Sequence, residues 1–239
     1  LELIGPVKSV LHDIDHMFAP PAFEPEKATE VFTIAATDYA QIAFLAPLIR
    51  IVHEAAPGIR FAVVSTDIHV MSEQFERQAI DFAVTVPEMA PPQCHGLELY
   101  GERYVCAVRK DHPRIGRAVD IDTFCDLDHI LVAPSGDGFH GPTDDALSLL
   151  GRRRNVVVSV PTFLGLPSIL RDSNFIAVAP ERVFAPFRHV LEVFAPPIDI
   201  PDFTMMAYWH ERTHLSPAHR WLRDRMASIA DDLAYGLVG

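Results

Sequence analysis

Val31-Phe-Thr-Ile-Ala-Ala-Thr-Asp38, followed by Ile42, Leu45, Ile49 and Val52 at spacings of 3, 4 and 3, decides the fold. Residues 31–36 form an apolar run of strand length. Thr37 and Asp38 then carry helix-capping oxygens, and the spacing after them marks one face of an α-helix. Pro57-Gly58 ends that helix. Ile59 to Val64 is a second strand rich in β-branched residues, Asp67 to Ala79 a second helix carrying Ile68, Met71 and Phe75, and Ile80 to Val86 a third strand. The βαβαβ order predicts a parallel sheet with right-handed crossovers.

Beyond a loop from Pro87 to Gly96, Leu97 to Val108 is a strand-like run long enough to leave one domain and enter another. The alternation then repeats. Strands are expected at His129 to Ala133, Val156 to Val160 and Phe175 to Ala179, and helices at Thr143 to Leu150 and Phe163 to Arg171. Phe203 to Trp209 is a further strand. The last helix, Pro217 to Tyr235, spaces Leu222, Met226, Ile229 and Leu233 by 4, 3 and 4, a stripe that needs a sheet to cover. If it packs on the first sheet, the chain leaves that lobe near Tyr104 and returns near Phe203. Two linking segments between two α/β lobes make a hinge with a cleft.

Upstream, Leu3, Val7, Val10, Ile14 and Met17 recur at spacings of 4, 3, 4 and 3. This is either a seam for a partner helix or the apolar face of a short helix on its own domain. Pro20 to Glu30 is a linker. A chain that begins at Leu1 inside a patterned segment reads as a piece of a longer protein. The N-terminus has neither the basic nor the apolar region of a secretory signal.

Of the 239 residues, 49% are hydrophobic and 22% charged, the composition of a soluble globular chain, and no apolar run approaches the roughly 20 residues that span a bilayer. With 20 Lys and Arg against 32 Asp and Glu, the formal charge of -12 repels phosphate backbones and anionic membrane surfaces, which argues against DNA binding by this chain alone. Cys94, Cys106 and Cys125 are odd in number, match no CxxC or zinc spacing and fit a reducing compartment.

Three patterns bear on chemistry. His210-Glu211-Arg212-Thr213-His214 matches HExxH, whose zinc chemistry needs both histidines on one helix; here the motif follows a strand and precedes Pro217, so a strand-to-helix connection is expected and a zinc hydrolase is the alternative. Gly136-Asp-Gly-Phe-His-Gly141 matches GxGxxG, but the acidic residue expected about 20 positions later is missing from Val160-Pro-Thr-Phe163. A glycine loop facing a ligand fits better than a dinucleotide site. The third pattern is a set of corners, Thr37-Asp38, Val86-Pro87, Ser135-Gly136 and Thr162-Phe163, at the carboxyl ends of the expected parallel strands, where open α/β sheets place ligands. Singly, each reads as ordinary capping.

Around these corners, His140 is either a ligand donor or a solvated loop residue. Phe44, two helical turns after Thr37, either floors a pocket or joins the core. Glu102 shares a strand face with Tyr100 and Tyr104 and points either into the cleft or into water. Met206, on the returning strand, completes the candidate set. Asp144-Asp145 read as first-turn helix acids. With no GxSxG, Cys/His pair or P-loop, no catalytic residue, cofactor or metal is expected, and the chain is not expected to be an enzyme.

Phe32-Thr-Ile-Ala-Ala-Thr-Asp-Tyr-Ala40, Leu48-Ile-Arg-Ile-Val-His-Glu-Ala-Ala-Pro-Gly58, Ile80-Asp-Phe-Ala-Val84, Glu102-Arg-Tyr-Val-Cys-Ala-Val-Arg-Lys-Asp-His-Pro113 and Trp209-His-Glu-Arg212, in that order, resemble the effector-binding domain of LysR-type transcriptional regulators. The likeness runs from about residue 24 to the C-terminus. It is closest to the branch containing nodulation regulators and regulators of aromatic-compound catabolism, which Val160-Pro-Thr-Phe163 and Leu166-Pro-Ser-Ile-Leu-Arg171 also fit.

The resemblance implies a type 2 periplasmic-binding-protein-like α/β fold with two lobes, a hinge and an interlobe cleft. Residues 1–28 would be the end of a linker helix and a connecting segment, 29–105 with 204–239 lobe I, and 106–203 lobe II, the winged helix-turn-helix domain lying outside this chain. It places Thr37, Phe44, Glu102, His140 and the Thr162-Phe163 corner near the effector. An acid at Glu102 disfavours an anionic effector unless it is protonated or paired, so a neutral or phenolic aromatic is preferred. The implied partners are that small molecule, a second copy of the chain in a dimer or tetramer, and, through the full-length parent, promoter DNA and RNA polymerase in the cytoplasm, with no membrane. A transporter's solute-binding protein, which shares the fold, is the competing binding module.

Overall fold

The computed structural model describes residues 23–67, 69–116, 118–134 and 138–235. The seam of Leu3, Val7, Val10, Ile14 and Met17, the corner Ser135-Gly136 and Ile68 lie outside the described residues.

Strand β1 (Val31–Ala36) feeds one helical segment, α1, made of Asp38–Ala40, a π-helical turn Gln41–Leu45 and Ala46–Ala55. Then come β2 (Arg60–Val64), α2 (Met71–Glu76), β3 (Phe82–Thr85) and β4 (Cys94–Glu102). Helix α2 is shorter than the apolar spacing suggests. The Asp67 carboxylate accepts the His69 N–H at 2.9 Å, a local turn that competes with helix at one end, and Gln78 adopts φ 59° at the other.

The run from Leu97 to Val108 resolves into β4 and β5 (Tyr104–Arg109), parted at Arg103 and belonging to different sheets. The second lobe is built from β5, α3 (Ile121–Asp126), β6 (Asp128–Val132), α4 (Pro142–Leu149), β7 (Asn155–Val160), α5 (Leu166–Arg171), β8 (Ile176–Pro180), α6 (Glu181–Phe184) and β9 (Leu191–Phe194). Strand β10 (Phe203–His210) returns to the first sheet, and α7 (Pro217–Tyr235) is the last described element. Too short to show a period, α3, α6 and β9 escape sequence reading.

The strand orders are β2-β1-β3-β10-β4 and β7-β6-β8-β5-β9. β1, β2 and β3 run parallel, but β10 lies antiparallel between β3 and β4, so the first sheet is mixed rather than wholly parallel. In the second, β6, β7 and β8 are parallel while β5 pairs antiparallel with both β8 and β9. Apolar periodicity reports which face is buried and carries no strand direction.

In the first lobe Phe32, Phe82 and Trp209 of the sheet meet Phe44, Leu48 and Val52 of α1 and Leu222, Met226 and Ile229 of α7. Each fully buried Phe contributes roughly 2–3 kcal/mol of transfer free energy. Met71 and Phe75 of α2 cover the opposite face with Ala83 and Tyr208. Among the described residues no helix is long and apolar enough to cross a membrane.

At Gly58 an added Cβ would run into the Ala28 carbonyl oxygen, which belongs to backbone and cannot swing aside. Gly58→Ala is expected to destabilise the chain by about 1–3 kcal/mol, read as a lower midpoint in a urea titration.

Candidate effector site

Where the carboxyl ends of the parallel strands of the two sheets face each other, the lobes enclose a cavity of about 300 Å³. Thr37 follows β1, Val84 to Val86 end β3, Leu131 to Pro134 end β6 and Val178 to Pro180 end β8, with Tyr104 and Phe203 at the two chain crossings. This is the crevice that α/β sheets use for ligands.

Two aromatic pairs span the lobes at its wall. Tyr39 of α1 meets Phe163, just before α5, with ring centroids 5.7 Å apart, and Tyr104 of β5 meets Phe203 of β10 at 5.2 Å. No described lining residue carries a charged side chain. The polar groups are hydroxyls. Thr37 caps α1, accepting the Ala40 N–H at 3.3 Å, Thr85 donates to the Met89 sulfur at 3.2 Å, and the buried Thr66 Oγ1 has no hydrogen-bond partner. Burial, then the nearby Glu88 and Glu102 charges, pushes the Tyr104 phenol up to about 12, so it stays a protonated donor at neutral pH. Such a wall offers flat apolar contact and a few neutral hydrogen bonds.

Of the residues expected at the site, Thr37, Val86 and Phe163 line this cavity. Pro87 is exposed and opens a short turn, Pro87–Met89, that brings Met89 to the wall instead. Phe44 is fully buried, packed on Tyr100 at 6.3 Å in the lobe core. His140 is exposed and pairs with Asp145 at 2.7 Å, and Thr162 is exposed. Met206 does not line the cavity and its neighbour Met205 does: Met205 shares its face of β10 with Ala207 and Trp209, while Met206 packs on the opposite face with Met71, Phe75 and Tyr208.

Glu102 lines neither the cavity nor open water. Its side chain is 1% exposed, and it accepts hydrogen bonds from Tyr39 OH at 2.6 Å, Arg182 Nη1 at 3.1 Å and the Arg103 N–H at 3.0 Å. Burial first, then Tyr100 and Glu102, pushes the Tyr39 phenol far above its ordinary value, so Tyr39 is the donor in that bond. The acid is paired and outside the lining residues, which removes the objection it raised to the effector's charge.

Sequence reading missed Tyr39, Thr66, Tyr104, Thr143, Phe203 and Met205. Thr66, just past the end of β2, could have been found by the rule that selected the other corners.

The family model described as LysR substrate binding domain matches residues 25–230. The chain belongs to the LysR substrate binding domain family.

NagR of Ralstonia sp, an HTH-type transcriptional activator, is 29% identical over 212 residues, 87% of this chain and 69% of that protein. NahR of Pseudomonas putida, also an HTH-type transcriptional activator, is 27% identical over 235 residues, 96% of this chain and 77% of that protein. The solved structure of a probable transcriptional regulator from Pseudomonas aeruginosa has a TM-score of 0.80 and 27% identity, covering 95% of this chain and 76% of that one. The two mixed sheets are thus the lobes of a type 2 periplasmic-binding-protein-like fold.

In this LysR substrate binding domain the HExxH segment is a connection. His210 Nδ1 accepts the Arg212 N–H at 3.1 Å, Glu211 pairs with His95, and His214 Nδ1 accepts the Trp209 indole N–H at 3.2 Å. Glu211–Thr213 is a single short turn, so the two histidines do not share one α-helical face.

Proposed function

We propose that this LysR substrate binding domain is the ligand-sensing part of a cytoplasmic transcriptional regulator and has no catalytic turnover. It binds a small uncharged aromatic or phenolic effector between its lobes, and binding changes oligomer geometry and promoter activation in the full-length parent, which also carries the contacts to DNA and RNA polymerase. One observation carries the reading: the interlobe cavity is walled by two aromatic pairs and neutral hydroxyls, with no charge on its described lining residues. Burying an ionised carboxylate there without a partner costs several kcal/mol, whereas a neutral ring gains contact with the Tyr39–Phe163 and Tyr104–Phe203 pairs. Thr37, Val86 and Phe163 are the proposed contacts from the expected set.

A thermal-shift screen against phenols, flavonoids, aromatic acids, amino acids and divalent metals tests this, because a ligand that binds only the folded state raises the melting temperature by mass action. A saturable shift is expected with a neutral aromatic series. Phe163→Ala should weaken its Kd by about tenfold and Thr37→Val should reduce the shift. A shift confined to amino acids or metals, or one indifferent to both substitutions, overturns the reading.

A further inference from the structure

We propose that Glu102 and Arg182 form a latch between the lobes, and that Tyr39 links this latch to the effector cavity. Arg182 belongs to α6 in the second lobe, yet every group its guanidinium meets lies in the first. Nη1 donates to Glu102 Oε2 and to the Gly101 carbonyl, each at 3.1 Å, and Nη2 donates to the Leu233 carbonyl of α7 at 3.4 Å. The guanidinium carbon sits 4.5 Å from the centre of the Tyr100 ring. The two side chains are 11% and 1% exposed, so the pair is out of water. Parting the lobes here would strand a buried carboxylate without its cation, the costly way to break an ion pair.

Glu102 Oε2 serves two lobes at once. It takes the Arg182 N–H from one side and the Tyr39 O–H from the other. The Tyr39 ring is cavity wall and packs on Phe163 of the second lobe. A ligand that displaces that ring or captures its hydroxyl removes one of the three donors that satisfy Glu102, and the strength of the Arg182 bond changes with it. Tyr39 is thus the element whose position both the cavity and the interlobe pair bias, which is what coupling between sites requires. Glu102 and Arg182 act as positioning residues. The latch stands on the geometry alone, while the link through Tyr39 rests on the effector reading.

A second interlobe bond supplies the readout: the Leu164 N–H donates to Asp38 Oδ2 at 2.8 Å. Hydrogen exchange of the purified chain without ligand should show the Leu164 amide exchanging about tenfold faster in Arg182→Ala and Glu102→Gln, with β6 amides such as Ile130 still protected. Arg182→Lys should fall between, since it keeps the charge and loses the planar fork. Wild-type exchange at Leu164 in Arg182→Ala overturns the latch, as does uniform acceleration of Leu164 and Ile130 in both Arg182 variants. With phenol as the probe, wild type should change its Leu164 exchange. Tyr39→Phe, held at a phenol concentration that saturates its own thermal-shift titration, should no longer change Leu164 exchange; a wild-type response in Tyr39→Phe overturns the link. Opening in Arg182→Ala together with no phenol effect on wild type supports the latch and overturns the link and the phenol reading.

Discussion

Arg154→Ala is expected to destabilise the chain by about 3 kcal/mol, measured as a lower urea midpoint with unchanged slope. Arg154 is 1% exposed in its side chain and grips Asp144 with two parallel bonds, Nε to Oδ1 at 2.9 Å and Nη2 to Oδ2 at 2.7 Å. Burial alone would raise the Asp144 carboxyl, but the Arg154 hydrogen bonds and charge outweigh it and hold it below the usual carboxylate range. The same carboxylate accepts the Gly141 N–H at 2.9 Å, which fixes the first turn of α4 and with it Pro142 and Thr143 of the cavity wall. Truncating Arg154 leaves Asp144, 15% exposed, with a charge and only that backbone donor. Adding Asp144→Asn to Arg154→Ala should recover part of the loss, because the stranded charge is gone while an acceptor for Gly141 remains. A double variant as unstable as the sum of the singles would place the effect in lost packing instead.

The second large effect is a pH dependence centred on His129. This fully buried ring pairs Nε2 with the Phe124 carbonyl at 2.8 Å, and Arg154 Nη1 lies 3.4 Å from its Nδ1. Burial first, with the Arg154 charge acting in the same direction, lowers its pKa from 6.5 to about 4. The folded state therefore holds the neutral ring, and below pH 6.5 the unfolded chain binds a proton that the folded chain refuses. Stability is lost as pH falls from 6.5 to about 4 and is flat in this respect above and below. That gap corresponds to about 3 kcal/mol. His129→Gln keeps a donor and an acceptor without the titration, so its urea midpoint should fall less over the same window, even though it starts lower. Equal slopes for the two proteins would assign the acid sensitivity to other groups.

The alternating strands and helices were legible because each buries an apolar face of definite period, as Ile34, Leu48 and Phe82 do. Thr37, Val86 and Phe163 were legible as corners because the carboxyl ends of parallel strands are where such sheets open. Tyr39 and Met205 were not. Both are buried, Tyr39 in the first turn of α1 and Met205 on the β10 face shared with Ala207 and Trp209, and an apolar period marks burial without telling core from cavity wall. The pairing of Arg182 with Glu102 joins residues 80 positions apart across a cleft, and one sequence carries no trace of such a meeting.

The placement of β10 between β3 and β4 also sets an order of assembly on the ribosome. The second sheet is formed by residues 104–194, a continuous stretch that can close as soon as it emerges. The first sheet cannot, because its fourth strand, β10, begins only at Phe203, long after Glu102 has left the tunnel. At about 5–20 residues per second that interval is on the order of 5–20 s, during which β3 and β4 wait with open edges. The lobe synthesised first is thus the lobe completed last, and a nascent chain arrested before β10 presents the open edge of β3 and an unpaired β4 to whatever meets it.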